Sequence, residues 1–285
     1  MNVTLPKKAK TSIKAIIIYT IAVMTCMIAL VVIVLSIYLG SDELDRLVTM
    51  GKSTTTQEEI EYQNLVSNFD TIFQNKLENS DSENTIQKAD SSKELVYTYY
   101  TKNESKNNDY DVNLNIPYIN IDNNSVDKIN ASIKKSFENR AETVLSSTGK
   151  NIAYTVEYDA TIENNILSVI VRSKYKQLNN AQRVIVHTYN YDIANNKQLT
   201  LEDVLAIKNL DSTDVEGKIK SRIQDEQKKV EDLKALGYNI FQRNPEDEMY
   251  TINQSKEFFI KDGKLYIVYA YGNKNSTSEM DLVII

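Results

Sequence analysis

The chain of 285 residues is long enough for about two domains, and its 41% hydrophobic and 25% charged residues are ordinary for a globular protein. One cysteine and one histidine exclude an internal disulfide and argue against cysteine- or histidine-rich metal sites and a Ser-His-Asp triad. The formal net charge is −6 at pH 7, so the chain as a whole is acidic.

An uncharged stretch of 25 residues, 15–39, predicts a transmembrane helix. At ~1.5 Å per residue this helix is about 37 Å long, enough to cross a hydrocarbon core of ~30 Å. Four lysines lie within residues 1–14 and acidic residues follow the stretch, which predicts a cytoplasmic tail over 1–14 and an extracytoplasmic remainder. The alternative is a cleaved signal peptide, whose apolar core is typically ~7–15 residues. The length favours a retained signal anchor, with the lipid bilayer as its partner.

Residues 40–78 are predicted to form a helical stalk outside the membrane. Apolar residues recur there at spacings of three and four, which gives one apolar face: Ile60, Leu65, Val66, Phe69, Ile72, Phe73 and Leu77. Self-association, docking on the following domain and a marginal surface helix all fit this pattern, and the oligomeric state stays open. Residues 79–94 are polar and lack periodicity, which predicts a mobile linker before a folded domain over 95–285.

The first half of that domain alternates strands with one long helix. Strands are predicted at 95–100, 111–117, 152–162, 166–178 and 182–193. A helix over 126–145, capped by Asn124 or Ser125 and followed by Gly149, carries six apolar residues on one stripe: Val126, Ile129, Ile133, Phe137, Ala141 and Val144. The Asn-Asn pairs at 164–165 and 179–180 are typical of tight hairpin turns.

The second half places another long helix between the strand runs. Thr200 is the predicted N-cap of a short helix over 201–205, and a long helix over 214–236 ends at Gly237. Its expected buried side consists of Val215, Ile219, Ile223, Val230, Leu233 and Leu236. Final strands are expected at 257–260, 265–271 and 280–285. The sequence therefore predicts an α+β domain, with antiparallel sheets and two long packed helices.

The region outside the membrane is more acidic than the whole chain. The four lysines of residues 1–14 leave 29 basic and 39 acidic residues after them, a net charge of −10. Such a surface disfavours nucleic acid, which needs basic patches, and attracts a cationic protein by long-range steering. Solubility alone is the simpler explanation of the same charge.

No catalytic motif is present. The sequence lacks a nucleophile elbow, a zinc-protease helix, a phosphate-binding loop and a Cys-x-x-Cys pair, so we predict no catalytic, metal or cofactor residues and no enzyme activity. His187 lies in a predicted strand, where it is either a general base or pH sensor or, as we favour, a half-buried residue beside tyrosines. A cleft around His187 with a carboxylate in reach would favour an enzyme.

Tyrosine is the unusual component, with 18 tyrosines and no tryptophan. Tyrosine offers a large contact area with a polar tip, which suits binding surfaces, and it equally suits strand packing. The predicted ligand-binding candidates are Tyr189, Tyr191, His187, Tyr269 and Tyr271.

Four local patterns carry a family resemblance through their shared order. They are Asn-Ile-Pro at 115–117, Val-Asp-Lys-Ile-Asn at 126–130, Thr-Tyr-Asn-Tyr-Asp at 188–192 followed by Lys-Gln-Leu-Thr-Leu-Glu-Asp at 197–203, and Glu-Phe-Phe-Ile at 257–260 followed by Asp-Gly-Lys-Leu at 262–265. The region 95–285 resembles the extracytoplasmic module of sigma-V anti-sigma factors of the RsiV family. A similar module precedes the catalytic domain of PdaC-type peptidoglycan deacetylases.

The resemblance implies an α+β fold, the surface of a Gram-positive bacterium and, as in the anti-sigma family, binding of lysozyme, a basic protein. The anti-sigma proteins hold their sigma factor with a cytoplasmic segment, whereas residues 1–14 contain no amphipathic helix. We therefore expect a membrane-anchored, extracytoplasmic binding or sensor protein of the cell envelope. Its expected ligand is a lysozyme-like cationic protein or a wall glycan, and the alternative is a transmembrane regulator of the anti-sigma type.

Overall fold

A computed structural model describes residues 21, 23, 24, 57–78, 86–146, 151–180, 182–238, 240–271 and 279–285. The chain divides into two compact units, residues 1–61 and 62–285. In the first unit, Ile21, Val23 and Met24 are helical and exposed. No helix among the described residues is both long and apolar enough to cross a membrane. The predicted tail and the rest of the predicted 15–39 span lie outside the described residues.

The helices and strands fall into a regular chain order. The helices are α1 (Gln57–Ser67), α2 (Asn124–Ile133), α3 (Asn139–Ser146), α4 (Leu201–Ile207) and α5 (Ser212–Ala235), with a π-helical turn at Lys134–Glu138 and 3₁₀ turns at Phe69–Thr71 and Glu248–Tyr250. The strands are β1 (Leu77–Glu78), β2 (Val96–Lys106), β3 (Tyr110–Ile119), β4 (Ile152–Glu163), β5 (Ile166–Gln177), β6 (Arg183–Asp192), β7 (Lys197–Gln198), β8 (Phe258–Lys261), β9 (Lys264–Tyr271) and β10 (Glu279–Ile284).

The strands of the second unit form two sheets. The large sheet has the order β2-β3-β4-β5-β6-β7, with β1 added beside β4, and the small sheet has the order β10-β9-β8. Most pairs are antiparallel, so the α+β expectation is confirmed, but β3–β4 and β1–β4 are parallel. The β3–β4 pairing is parallel because the helical segment between the strands returns the chain to the same end of the sheet.

The two sheets stack between two helical layers. Alternate residues of β4, β5 and β6 face α2 and α3, and this apolar cluster includes Tyr154, Val156 and Phe137. The small sheet packs one face on α4 and α5 and the other on the large sheet, through Phe259 and Tyr266 among others. The two long helical segments therefore lie on opposite outer layers and do not pack on each other.

The helical segment Asn124–Ser146 follows the predicted stripe with two changes. All six predicted residues of the stripe are buried. The N-cap is Asn123, whose side chain accepts a hydrogen bond from the Ser125 amide, so the predicted cap was one or two residues late. The π-helical turn was not expected; its wider turn suits the stripe, because Ile129, Ile133, Phe137 and Ala141 follow each other at four-residue steps that an ideal helix would rotate off the sheet.

Helix α5 is longer and more exposed than predicted. It begins at Ser212, capped by Asp211. Val215, Ile219, Ile223 and Val230 are buried as expected, but Leu233 and Leu236 are 40% and 74% exposed. The small sheet covers only part of the length of α5, so a helical period alone overestimates the buried length.

The predicted stalk does not continue as a helix to residue 78. Helix α1 ends at Ser67, and residues 69–78 pack into the second unit, with Phe69 and Phe73 in the inter-sheet core. Asn75 exchanges hydrogen bonds with the backbone of Tyr158 at 2.9 and 3.0 Å, and β1 then pairs with β4. The unit boundary therefore lies at 61/62, ahead of the predicted linker.

The described part of the predicted linker, residues 86–94, is held on the domain. The Asn120 side chain accepts from the Asp90 amide at 2.9 Å and donates to the Asp90 carbonyl at 2.7 Å. The buried Asn120, together with the packing of Ile86 on the core, thus holds a segment whose composition indicates mobility. Residues 79–85 lie outside the described part.

Candidate functional site

Two of the five predicted ligand-binding residues, Tyr269 and Tyr271, are buried in the small sheet. The Tyr269 hydroxyl lies 2.6 Å from the Ser255 hydroxyl, and the ring meets Tyr250 edge-on at 5.0 Å. Tyr271 donates to Asp281 at 2.9 Å and stacks on Phe241 at 4.4 Å. Burial raises the pKa of both phenols. Both tyrosines pack the core, as the strand-packing alternative expects, and neither offers a surface for a ligand.

The other three candidates lie on β6, on the face that meets α2 and α3. Tyr191 is 1% exposed and its hydroxyl donates to Asn196 at 3.2 Å. Tyr189 is also buried, its hydroxyl 3.4 Å from that of Ser132, and burial raises its pKa to about 12. Of the five candidates, only His187 has a substantially exposed side chain, 38%, and the structure does not bring the five together.

His187 lies in a cleft of about 770 Å³ between the helical segment and the large sheet. The helical wall is mostly polar and the sheet wall contributes the ring of Tyr175 and the imidazole. The lining residues are Ser132, Lys135, Ser136, Asn139, Arg140, Thr143, Val144, Ile152, Tyr175, Ile185 and His187. This volume is in the range of small-ligand sites, which makes the cleft the candidate functional site.

The π-helical turn forms the middle of the polar wall. The apolar stripe of the helical segment is fixed on the sheet, so the polar residues beside it point along the edge of the helix toward β5 and β6. In the wider turn, Lys135 and Arg140, five residues apart, both line the cleft. Single π turns inside α-helices frequently occur at functional sites.

The cleft contains cations without acidic neighbours in its wall. The Arg140 guanidinium lies 5.6 Å from the centre of the Tyr175 ring. Among the described residues, neither Lys135 nor Arg140 forms an ion pair, and no Asp or Glu is part of the lining. By contrast, the neighbouring Lys134 points elsewhere and lies 3.7 Å from Glu138.

His187 is oriented by the carboxylate of Glu257, the residue immediately before β8. Its Nδ1 lies 3.1 Å from Oε1 of Glu257, whose Oε2 accepts from the Thr188 amide at 2.6 Å and the Thr188 hydroxyl at 3.1 Å. An ionised carboxylate only accepts hydrogen bonds, so Nδ1 carries the proton toward Glu257 and Nε2 is left for another partner. Phe137 packs edge-on against the imidazole at 5.7 Å.

Sequence reasoning found His187 but missed its neighbours. Lys135, Arg140 and Ser132 lie on the polar side of a predicted helix, and their spacing along one edge was a signal available in the sequence. Glu257 is 70 residues from His187 and immediately precedes β8 of the small sheet, so only the stacking of the sheets reveals the dyad. The described part of the chain holds no group of three or more side chains suited to a metal ion.

Comparison with known proteins shows a distant structural similarity. No protein-family model matches the chain, and no curated protein sequence does. Among solved structures, the chain is similar to a DUF3298 family protein from Pseudomonas aeruginosa PAO1, with a TM-score of 0.35 at 12% identity over 62% of this chain and 82% of that chain.

A second similar structure is a DUF3298 family member from Bacteroides fragilis NCTC 9343, with a TM-score of 0.26 at 12% identity over 55% of this chain and 74% of that chain. The similarity is thus to DUF3298 family proteins and not to the RsiV or PdaC proteins specifically. At these TM-scores it carries no argument about function.

Proposed function

We propose that this chain is a non-catalytic, membrane-anchored binding module of the bacterial cell envelope, and that its ligand is a wall glycan bound in the cleft at His187. The observation that carries this proposal is the wall of the cleft. It combines hydroxyl and amide groups, one tyrosine ring and two cations that form no ion pair with any described residue, in a volume of about 770 Å³. Sugars need this combination, since they present hydroxyl groups at their edges and C–H faces to aromatic rings.

The charge of the cleft favours a wall glycan over a cationic protein as its ligand. The extracytoplasmic region carries a net charge of −10, which supports attraction of a lysozyme-like cationic protein. The cleft itself is lined by cations, so it disfavours that protein. A cationic protein would have to bind another part of the surface, and the RsiV-like resemblance is the support for that alternative. The uncharged 15–39 segment supports anchoring in the envelope.

Sedimentation with insoluble cell-wall glycan tests the proposal. The full chain, purified in detergent, should co-sediment with the glycan, and Asn139→Trp should strongly weaken this because the bulky indole would obstruct part of the cleft. Glu142→Trp is the matched control, since Glu142 is exposed on the same helical segment but does not line the cleft. Equal binding by both variants, or none by the wild type, contradicts the proposal. A parallel titration with lysozyme tests the cationic-protein alternative.

A second candidate function is acid–base catalysis on the same ligand. The 3.1 Å contact between His187 and Glu257 is the base-and-orienting-group arrangement found in many hydrolases, inside a cleft. Incubation with wall glycan, followed by measurement of new reducing ends and released acetate, distinguishes the two functions. Product that disappears in His187→Gln supports catalysis, and absence of product with retained binding supports the binding module.

A further inference from the structure

The two cations of the cleft indicate more about the ligand than its size. Arg140 and Lys135 line the same cleft, and among the described residues neither has a carboxylate partner. Many other cations of this acidic domain do have one: Lys197 contacts Asp203 at 2.7 Å, and Lys261 contacts Asp159 at 2.7 Å. Two cations that line one concave site and have no carboxylate partner in the described part of the chain are suited to an anion supplied from outside.

The setting of Arg140 favours an anion with two acceptor oxygens. The guanidinium lies over the Tyr175 ring, 5.6 Å from the ring centre. Contact with a ring face does not use the N–H groups at the guanidinium edge, so these can still donate to a ligand. A carboxylate accepts two parallel hydrogen bonds from such an edge. Lys135, on the same wall, adds a second positive charge, and the Nε2 of His187 adds a polar contact on the opposite wall.

We propose that the ligand of this cleft is an acidic glycan and that Arg140 and Lys135 bind its carboxylate, while the hydroxyl-rich wall and the Tyr175 ring bind the sugar. This inference rests on the proposed function and names the chemical class of its ligand. A neutral glycan would leave both cations without a carboxylate and would gain only hydrogen bonds to its hydroxyl groups from them. The acidic form of the same sugar gains a charge-assisted pair of hydrogen bonds, which corresponds to about tenfold in affinity.

Two disaccharides that differ by a single carboxylate test the inference. N-acetylglucosaminyl-N-acetylmuramic acid carries a lactyl carboxylate that N,N′-diacetylchitobiose lacks. Titration calorimetry of the full chain in detergent should show about tenfold tighter binding of the acidic disaccharide. Arg140→Gln and Lys135→Gln should each reduce this preference, whereas the matched control Lys134→Gln should retain it, because Lys134 pairs with Glu138 outside the cleft.

The outcomes separate the inference from the function on which it rests. Equal affinity for the two disaccharides in the wild type overturns the inference and leaves the binding module intact. A preference that all three variants share equally also overturns it, since the carboxylate would then be bound elsewhere. Absence of binding by either sugar contradicts the proposed glycan function itself. A glycerol-phosphate polymer that binds more tightly than the acidic disaccharide would replace the carboxylate by a phosphate.

Discussion

The face of the large sheet that meets the helices is apolar over most of its area, whereas the face that meets the small sheet contains buried charges. On β4, Tyr154 and Val156 point toward the helices, and Glu157 and Asp159 point the other way. On the inter-sheet face Asp159, fully buried, binds Lys261 of β8 at 2.7 Å, and Lys261 also reaches Glu78 of β1 at 2.6 Å.

A second buried cation holds the N-terminal segment on the same face. Arg172 is 2% exposed, donates to Glu157 at 2.8 Å and pairs with Asp70. Its guanidinium lies 3.9 Å from the centre of the Phe73 ring. Both ion-pair clusters join elements that are distant in the sequence. Apolar contact is non-directional, while ion pairs and hydrogen bonds demand one geometry, so we expect the charges to select the docking register of residues 69–78 and β8.

Removal of one charge from the inter-sheet face should have the largest effect. Lys261→Met leaves Asp159 buried without its countercharge, and we expect a loss of about 3–5 kcal/mol in the free energy of unfolding. Urea unfolding of the full chain, followed by tyrosine near-UV circular dichroism because the chain has no tryptophan, measures this loss.

The double variant Asp159→Asn with Lys261→Met is the control for that prediction. It removes both charges, so it should recover most of the loss. If the double variant is as unstable as the single one, the cost comes from packing and the two faces of the sheet do not differ in the way described above.

The same face should give the protein a measurable pH dependence. Burial, together with the like charge of Glu78 nearby, raises the pKa of Asp159 from 3.8 to about 6, despite the bond of Asp159 to Lys261. The pKa of Lys261 is also raised. Burial alone would lower this pKa, but the bonds of Lys261 to Asp159 and Glu78 outweigh burial, so the lysine stays charged. Between about pH 4 and pH 6 the native state thus holds a proton that the unfolded chain has released.

The sign of that effect follows from proton binding. The contribution of Asp159 favours the native state at low pH and is lost as the pH rises through about 6. The free energy of unfolding of the wild type, relative to Asp159→Asn, should therefore fall between about pH 4.5 and pH 7. Urea titrations of both proteins at the two pH values measure it, and a constant difference would show that Asp159 does not titrate in this range.

The apolar face was the part of the fold that the sequence predicted well. Its strands and its helix repeat apolar residues at the periods of two and 3.6 that burial on one side imposes, and Asn164-Asn165 adopts the positive φ angles that a tight hairpin needs. Thr200 likewise caps α4 with the predicted chemistry, in a capping box with Asp203.

The inter-sheet face could not be predicted in the same way. Its contacts are single pairs between distant residues, such as Asp70 with Arg172 and Glu78 with Lys261, and no periodicity marks them. Residues 69–78 were consequently assigned to a stalk, since Phe69 and Phe73 fit a helical period as well as a docked segment. The sequence predicted one member of the His187–Glu257 pair for the same reason. His187 lies in a strand with a regular pattern, whereas Glu257 contacts it only because the two sheets stack.

A conservative change on the apolar face should cost less than removal of a buried charge from the inter-sheet face. Ile133 is fully buried between the helical segment and the sheet, and Ile133→Val removes one methylene there. We expect a loss of about 1 kcal/mol, with no dependence on pH between about pH 4.5 and 7. Urea unfolding at both pH values checks the two statements. A pH-dependent loss would mean that the two faces are energetically coupled.

The smallest expected effect concerns the two adjacent lysines at the edge of the apolar face. The exposed Lys134 forms a long i,i+4 pair of 3.7 Å with the largely buried Glu138, which also accepts a hydrogen bond from Tyr99, so Lys134→Gln should lower the free energy of unfolding by at most about 0.5 kcal/mol. Lys135 has no ion pair among the described residues, and Lys135→Gln should leave the stability unchanged or slightly higher, since it removes the positive charge next to Lys134.

The two variants should differ in the opposite sense in their affinity for an acidic glycan. Only Lys135→Gln should weaken that affinity, because Lys134 does not line the cleft. Urea unfolding measures the stability of the two variants, and titration calorimetry measures their affinity for the acidic glycan. Substitution of a residue that serves packing should lower both the stability of the protein and its affinity for the ligand. Substitution of a residue that serves ligand binding should lower the affinity alone. A loss of stability in Lys135→Gln would therefore contradict the assignment of the cleft as the ligand site.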